Sequence, residues 1–259
     1  MAEDKKVKKT EKEFKYPSET VDLPSGGKIY GKKSPLYDGK IEIKYMTAKE
    51  EDILTSRNLI KKGNVIEKTL DSLIMTEGVV SDDLILGDKN AIMVAARILA
   101  YGPDYLCEAT NPNTREKFEY TFNLAECEFK GVPEGIEENK FDFELPVSKH
   151  KITFKLLTGH DEKDILTYLG QIKKSGMGVS PEITARLKAG IIAVDGNEDN
   201  GVIHQFVDNL LSRDSLALRK HMNAMAPDIE LKAEVEVEGE VVEVEIPMTT
   251  NFFWPPVNE

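Results

Sequence analysis

Cysteine, histidine and tryptophan are scarce in this chain of 259 residues, which holds 2, 4 and 1 of them. Cys107 and Cys127 stand in no metal-ligand spacing, which excludes a disulfide framework and a four-thiolate zinc site. His150, His160, His204 and His221 show no ligand spacing to one another or to a cysteine, so no metal is expected. Positive charge is in deficit too. With 34 Lys and Arg against 46 Asp and Glu, the net charge of -12 leaves no concentrated cationic face for a phosphate backbone, and nucleic acid is not an expected partner. No apolar run reaches the roughly 18–20 residues that cross a bilayer. The opening MAEDKKVKKTEKEFKY lacks the apolar core of a signal peptide. The chain is therefore expected to stay in the cytoplasm in which it is made.

Groups that could converge for catalysis are missing as well. Gly26 to Lys33, GGKIYGKK, approaches a phosphate loop but puts lysine where the magnesium-binding Ser or Thr belongs, and no buried strand precedes it. A turn between strands is the expected structure there. Glu50-Glu51 and Asp82-Asp83 fall at expected helix starts, where carboxylates offset the helix dipole. No serine or cysteine sits in a nucleophile motif. Neither enzymatic activity nor a cofactor is expected.

What the chain does contain is a duplication. Residues 40–63, KIEIKYMTAKEEDILTSRNLIKKG, align with 151–176, KITFKLLTGHDEKDILTYLGQIKKSG, at an offset of 111–112. With two single-residue gaps, 13 of 24 positions are identical, far above the one or two that chance would give, so the match points to an internal repeat. Leu23-Pro24 corresponds to Leu145-Pro146, and Leu86, Asp88, Ala91 and Pro103-Asp104 to Leu211, Asp214, Ala217 and Pro227-Asp228.

Each copy reads as a strand (Ile41–Tyr45; Ile152–Leu156), then Thr47 or Thr158 before an acidic first turn, which are helix-start signals. The helix carries Ile53, Leu54 and Ile60 on one side in the first copy, and Ile165, Leu169 and Ile172 in the second. Gly63 and Gly176 end it. Further helices are expected through Ile66, Leu70, Leu73 and Ile74, through Leu187, Ile191 and Val194, and through Ile203, Phe206, Val207, Leu210 and Leu211. A last helix runs from Asp88 or Asp214, as caps, to the Pro-Asp stop.

The fold class expected is α+β: two pseudo-repeated modules, each a short strand, several helices and a β-hairpin ribbon. Residues 1–20 form a disordered charged tail, 21–128 module one, 129–147 an acidic connection, 148–250 module two and 251–259 an aromatic C-terminal tail.

Two places are candidate partner-binding sites. In LKAEVEVEGEVVEVEIPM, pairing Val237 with Val242 and Val235 with Val244 makes one ribbon face apolar. The other face stacks Glu236 opposite Glu243 and Glu234 opposite Glu245. Such a face is either simply solvated or awaits a basic partner. The first ribbon is expected to turn at Asn111–Thr114. The second place is the end of the chain, where Phe252, Phe253, Trp254 and Pro255 either fold back over the last ribbon or dock on a partner.

LPSGGKIY at 23–30, IEIKYMTAKEEDIL at 41–54, LILGDKNAIMVAARILAYGPDY at 84–105 and NFFWP at 251–255 together resemble the baseplate hub and tail assembly chaperone family of T-even-type contractile-tailed bacteriophages. The resemblance covers most of the chain after residue 20. It implies a non-enzymatic role in assembling the baseplate hub, as transient chaperone or hub subunit, with hub and tape-measure proteins as partners. The places of action are the host cytoplasm and the virion tail baseplate. Family members often carry a CPxCG-like cysteine pair in the ribbons. Here only Cys107 remains near EATNPNT, so the valine face has to supply the second ribbon's stability. The competing expectation is a generic protein-binding or regulatory module unrelated to phage tails.

Overall fold

A computed structural model describes residues 16–174, 180–237, 239–247 and 250–253. The architecture is α+β, with helices alternating with small antiparallel sheets. In the first half, β1 (Ser18–Asp22) pairs with β2 (Lys40–Lys44), placing Val21 opposite Ile41. There follow α1 (Ala48–Thr55), α2 (Arg57–Lys62), α3 (Val65–Leu73) and α4 (Leu86–Tyr101). The half closes with the ribbon of β3 (Asp104–Thr110) and β4 (Lys117–Asn123). It turns where Asn111 Oδ1 accepts from the Asn113 and Thr114 amides.

After β5 (Phe129–Lys130), the second half begins with β6 (Phe141–Glu144) and β7 (Lys151–Phe154). It continues through α5 (Gly159–Lys174), α6 (Glu182–Gly190), β8 (Ile191–Val194), α7 (Asn200–Asp208) and α8 (Ser212–Met225). Next come β9 (Asp228–Ile229), which pairs with β5, the ribbon of β10 (Lys232–Val237) and β11 (Glu240–Glu245), and α9 (Thr250–Phe253).

Three apolar clusters hold this together. One packs Ile41, Ile43, Leu70, Leu73, Leu84 and Ile92 of the first half. Another packs Phe141, Ile152, Phe154, Leu187, Ile191 and Leu218 of the second, and takes in Ile29 and Ile85 from the first. The third joins the two ribbons, with Tyr105 and Phe122 from one and Val235, Val242 and Val244 from the other. Each ribbon alone is a two-stranded sheet too small to be stable in water. Packed in one cluster with Ala91 and Val94 of α4, they bury one apolar side each.

The halves also interlock. The Gly159 amide donates to Leu84 O at 3.0 Å. Gly87 lets the Pro227 carbonyl approach so closely that a Cβ there would lie 1.9 Å from its oxygen.

Several expectations change. Residues 18–20 belong to β1 rather than to a disordered tail: the ladder to β2 orders a stretch whose composition alone could not, while 1–15 lie outside the described residues. The helix of the first copy breaks at Ser56, which is extended (φ -65, ψ 105). Ile60 consequently ends on the exposed side of α2, whereas α5 runs unbroken. Gly63 ends α2 in a left-handed conformation (φ 70), and Gly176 lies outside the described residues.

Ile191 and Val194 lie on a strand rather than a helix, because the β-branched IIAV segment joins β6 and β7 as a third strand. Leu210 and Leu211 fall between α7 and α8. Asp88 and Asp214 sit inside the first turns of α4 and α8; the cap positions are Ile85 and Leu211. Within 129–147, β5 and β6 are paired strands, and Phe141 is buried. GGKIYGKK lies between β1 and β2 and contains a single 3-10 turn, Lys28–Tyr30.

Candidate functional site

The duplicated spacing Lys-x-x-Thr-x-x-acid builds the same constellation twice. In the first half, Glu50 accepts from Lys44 Nζ (2.7 Å), Ser72 Oγ (2.6 Å), Thr47 Oγ1 (2.6 Å) and the Thr47 amide (2.9 Å), completing a capping box. Burial alone would raise its pKa, but these donors outweigh it and hold the carboxyl at about 2. In the second half, Asp161 accepts from Lys155 Nζ (2.7 Å), the Thr158 amide (3.0 Å) and Thr158 Oγ1 (3.1 Å).

A second pair of carboxylates ties each half's late helix to its early loop. Asp88 takes the Ser25 amide (3.0 Å), Ser25 Oγ (2.6 Å) and the Tyr30 hydroxyl (2.5 Å), whose own oxygen accepts from the Ile85 amide. Burial raises the Asp88 pKa despite those donors, and burial beside Asp88 pushes the Tyr30 phenol up as well. Asp214 takes the amides of Val147 (2.8 Å) and Ser148 (3.0 Å). Burial opposes the charged form there too, yet these donors hold the Asp214 carboxyl below its usual range. All four carboxylates thus serve the scaffold. Burial pushes the thiols of Cys107 and Cys127 up, toward their unreactive neutral form.

The predicted ribbon register is off by two residues. Val235 faces Val242 and Ala233 faces Val244, because Val237 is already paired with Glu240. Glu234 therefore lies opposite Glu243, Glu236 opposite Val241, and Glu245 opposite Lys232, whose Nζ also reaches Glu243 Oε1 at 3.1 Å. All four glutamates remain exposed. Glu234 and Glu243 join Glu126, Glu128 and Glu230 along a polar cleft of about 630 Å³ between the ribbons.

Phe252 folds back over the ribbons. It is fully buried in the ribbon core, edge-on to Tyr105 at 5.2 Å between centroids. Phe253 is half-buried, 4.8 Å from Phe252 and packed against Leu70 and Met93. Trp254 and Pro255 lie outside the described residues.

An apolar groove that the sequence did not announce runs along the seam of the halves. One lobe, about 460 Å³, is lined by Leu86, Leu157, Ile183, Leu187 and Met222. The other, about 440 Å³, is lined by Ile66, Leu84, Met93, Leu157 and Leu166. Leu86 and the Arg186–Glu162 ion pair stand between them. Leu86 is 68% exposed and Leu166 62%, unusual for leucines lining a groove. They come from helices far apart in sequence, so only their excess of apolar character outside the buried stripe could have flagged them.

Fold and surface thus define an α+β protein that holds the carboxylates of Glu50, Asp88, Asp161 and Asp214 with its own donors and exposes apolar side chains along an interdomain-like seam. A family model described as T4 bacteriophage base plate protein matches residues 15–254, and the chain belongs to that family. It is a structural protein of the phage baseplate, which places it in the virion tail. No curated protein and no solved structure matches. Among the described residues no helix is long and apolar enough to cross a membrane.

Proposed function

We propose that this protein is a non-enzymatic component of the baseplate hub, assembled through protein–protein contacts with hub or tape-measure proteins along the seam groove. The observation that carries the reading is the exposure of Leu86 at the start of α4, between two apolar lobes. Exposed leucines flanked by charged rims are the usual mark of a partner site. The strongly perturbed carboxylates Glu50 and Asp88 support a non-catalytic role, since their donors are intramolecular and neither lines the groove. The twin Lys-Thr-acid constellations support reading the chain as two pseudo-repeated modules.

The test is a phage carrying Leu86→Asp together with Ile183→Asp. Both positions are exposed, so the protein is expected to fold with unchanged circular dichroism but to lose co-purification with hub components and to yield no complete baseplates. Normal baseplates would remove the groove from assembly. Mass spectrometry of purified virions is expected to find the protein at fixed stoichiometry; absence from virions would make it a transient chaperone instead.

A further inference from the structure

The two ribbons present open strand edges to one cleft. Among the described residues β4 pairs only with β3, and β10 only with β11, so each has an outer edge without a ladder. Successive side chains of a strand point to opposite faces. The polar cleft between the ribbons is nevertheless lined by four consecutive residues of β4, 120–123, and by three of β10, 232–234. A cavity that meets consecutive residues runs along the edge of a strand, where backbone N–H and C=O groups point, and not over one face.

Exposed edges are ordinarily blunted by a lysine, a proline, a bulge or a covering element. Tyr120, Thr121, Phe122 and Asn123 include neither lysine nor proline, and their register against β3 runs without a shift. Charge guards this edge instead. The cleft adds Glu126, Glu128, Glu230, Glu234 and Glu243 against a single cation among the described residues, Lys232, which Glu243 holds at 3.1 Å. The carboxylates of Glu128, Glu230 and Glu234 are exposed and have no side-chain partner among the described residues. Nor do they converge as metal ligands do, since no group of acidic, histidine and cysteine side chains among the described residues is placed to hold an ion. Such a wall repels a second copy's ribbon, whose own strands carry glutamates, and attracts a strand bearing lysine or arginine.

We propose that an extended, lysine- or arginine-bearing segment of another protein adds to the β4 edge in this cleft. Its backbone continues the β3–β4 ladder along Tyr120–Asn123, and its basic side chains meet Glu128, Glu230 and Glu234. Main-chain hydrogen bonds supply the affinity and the carboxylates select the charge. A third strand also suits a two-stranded ribbon, which is marginal by itself. The cleft shares no lining residue with the seam groove, so this contact does not depend on the hub assignment.

The test titrates a short fluorescent peptide, alternating lysine with threonine, into the full-length protein. Binding is expected to saturate, to weaken with salt and to slow hydrogen exchange of the Tyr120–Asn123 amides. The same peptide N-methylated throughout keeps its charges but has no N–H to give the edge, and is expected to bind about tenfold more weakly. Glu128→Gln, Glu230→Gln and Glu234→Gln combined are expected to leave circular dichroism unchanged and to weaken the unmodified peptide several-fold. Absent binding, equal affinity of the N-methylated peptide, unslowed exchange at Tyr120–Asn123, or indifference to the three glutamines would each overturn the proposal. Binding seen only after deletion of residues 1–15, which include four lysines in KKVKK, would overturn it by assigning the cleft to the chain's own start. Protection of the same amides in a dimer without peptide would overturn it in favour of a second copy.

Discussion

The Lys44–Thr47–Glu50 and Lys155–Thr158–Asp161 clamps share spacing and bonding geometry, yet they differ in how much water reaches them. Side-chain exposure is 8% and 0% for Lys44 and Glu50, against 31% and 18% for Lys155 and Asp161. Ser72 of α3 adds a fourth donor to Glu50 alone. One local code is thus a buried ion pair in one half and a partly solvated one in the other. Breaking a buried pair strands its partner charge; breaking a solvated pair hands that charge to water.

The largest expected effect follows from that contrast. Glu50→Ala leaves Lys44 buried and unpaired, and chemical denaturation is expected to show a loss of about 3–5 kcal/mol. An effect no larger than that of Asp161→Ala would break the comparison. Acid should expose the same asymmetry. Glu50 titrates at about 2 when folded, below its ordinary 4.5. Protonation therefore favours the unfolded chain. The stabilisation is complete above pH 4.5, falls as the pH drops toward 2, and amounts to about 3 kcal/mol. In Glu50→Gln the stability profile over that window is expected to be flatter.

Gly87 sharpens the comparison by asking whether the halves stand alone. Its absent Cβ admits the Pro227 carbonyl, a backbone atom that cannot move aside alone. Gly87→Ala is expected to cost about 1–3 kcal/mol through overpacking. The cooperative thermal transition should remain single, since Ile29 and Ile85 of the first half are buried in the second half's core. Two resolved transitions would show that the seam is weaker than its packing implies.

Legibility in the sequence followed the range of the interactions. The strand, capping threonine and acidic turn are contiguous, so Thr47 with Glu50 and Thr158 with Asp161 could be read directly. The Asn111 turn was equally local. The part played by Lys44 and Lys155 was present in the offset of 111 but became visible only when the strand brought each lysine beside its acid. What depends on neighbours distant in the chain stayed hidden: the strand fate of Ile191–Val194, the break at Ser56, the burial of Phe252. The groove is the extreme case. Leu54 and Leu166 are aligned within identical runs, yet Leu54 is half-buried beside Phe253 and Leu166 is open to solvent. Periodicity gives both the same place on a helix and cannot tell which one finds a neighbour.

Asp161→Ala is the next smaller expected effect. Removing it deletes the Lys155 pair and the bonds to Thr158 at the start of α5. A capping interaction and a partly exposed pair together amount to about 1 kcal/mol. Urea titrations of the Glu50 and Asp161 variants, read side by side, measure what burial adds to one motif.

The ribbons supply the smallest and most specific contrast. In each, two glutamates lie directly opposite and one nearby lysine bridges to the pair: Glu108 and Glu119 with Lys117 in the first, Glu234 and Glu243 with Lys232 in the second. Like charges across a strand pair disfavour pairing, and the exposed lysine contact offsets part of that. Replacing Glu234, Glu236, Glu243 and Glu245 with glutamine removes both the repulsion and the bridge, so thermal stability is expected to change by no more than about 0.5 kcal/mol. Any residual change should shrink in salt, which screens exposed charges. A loss well beyond that range, persisting at high salt, would mean that the second ribbon's carboxylates make contacts that the first ribbon's lack, and the resemblance between the two would be one of backbone alone.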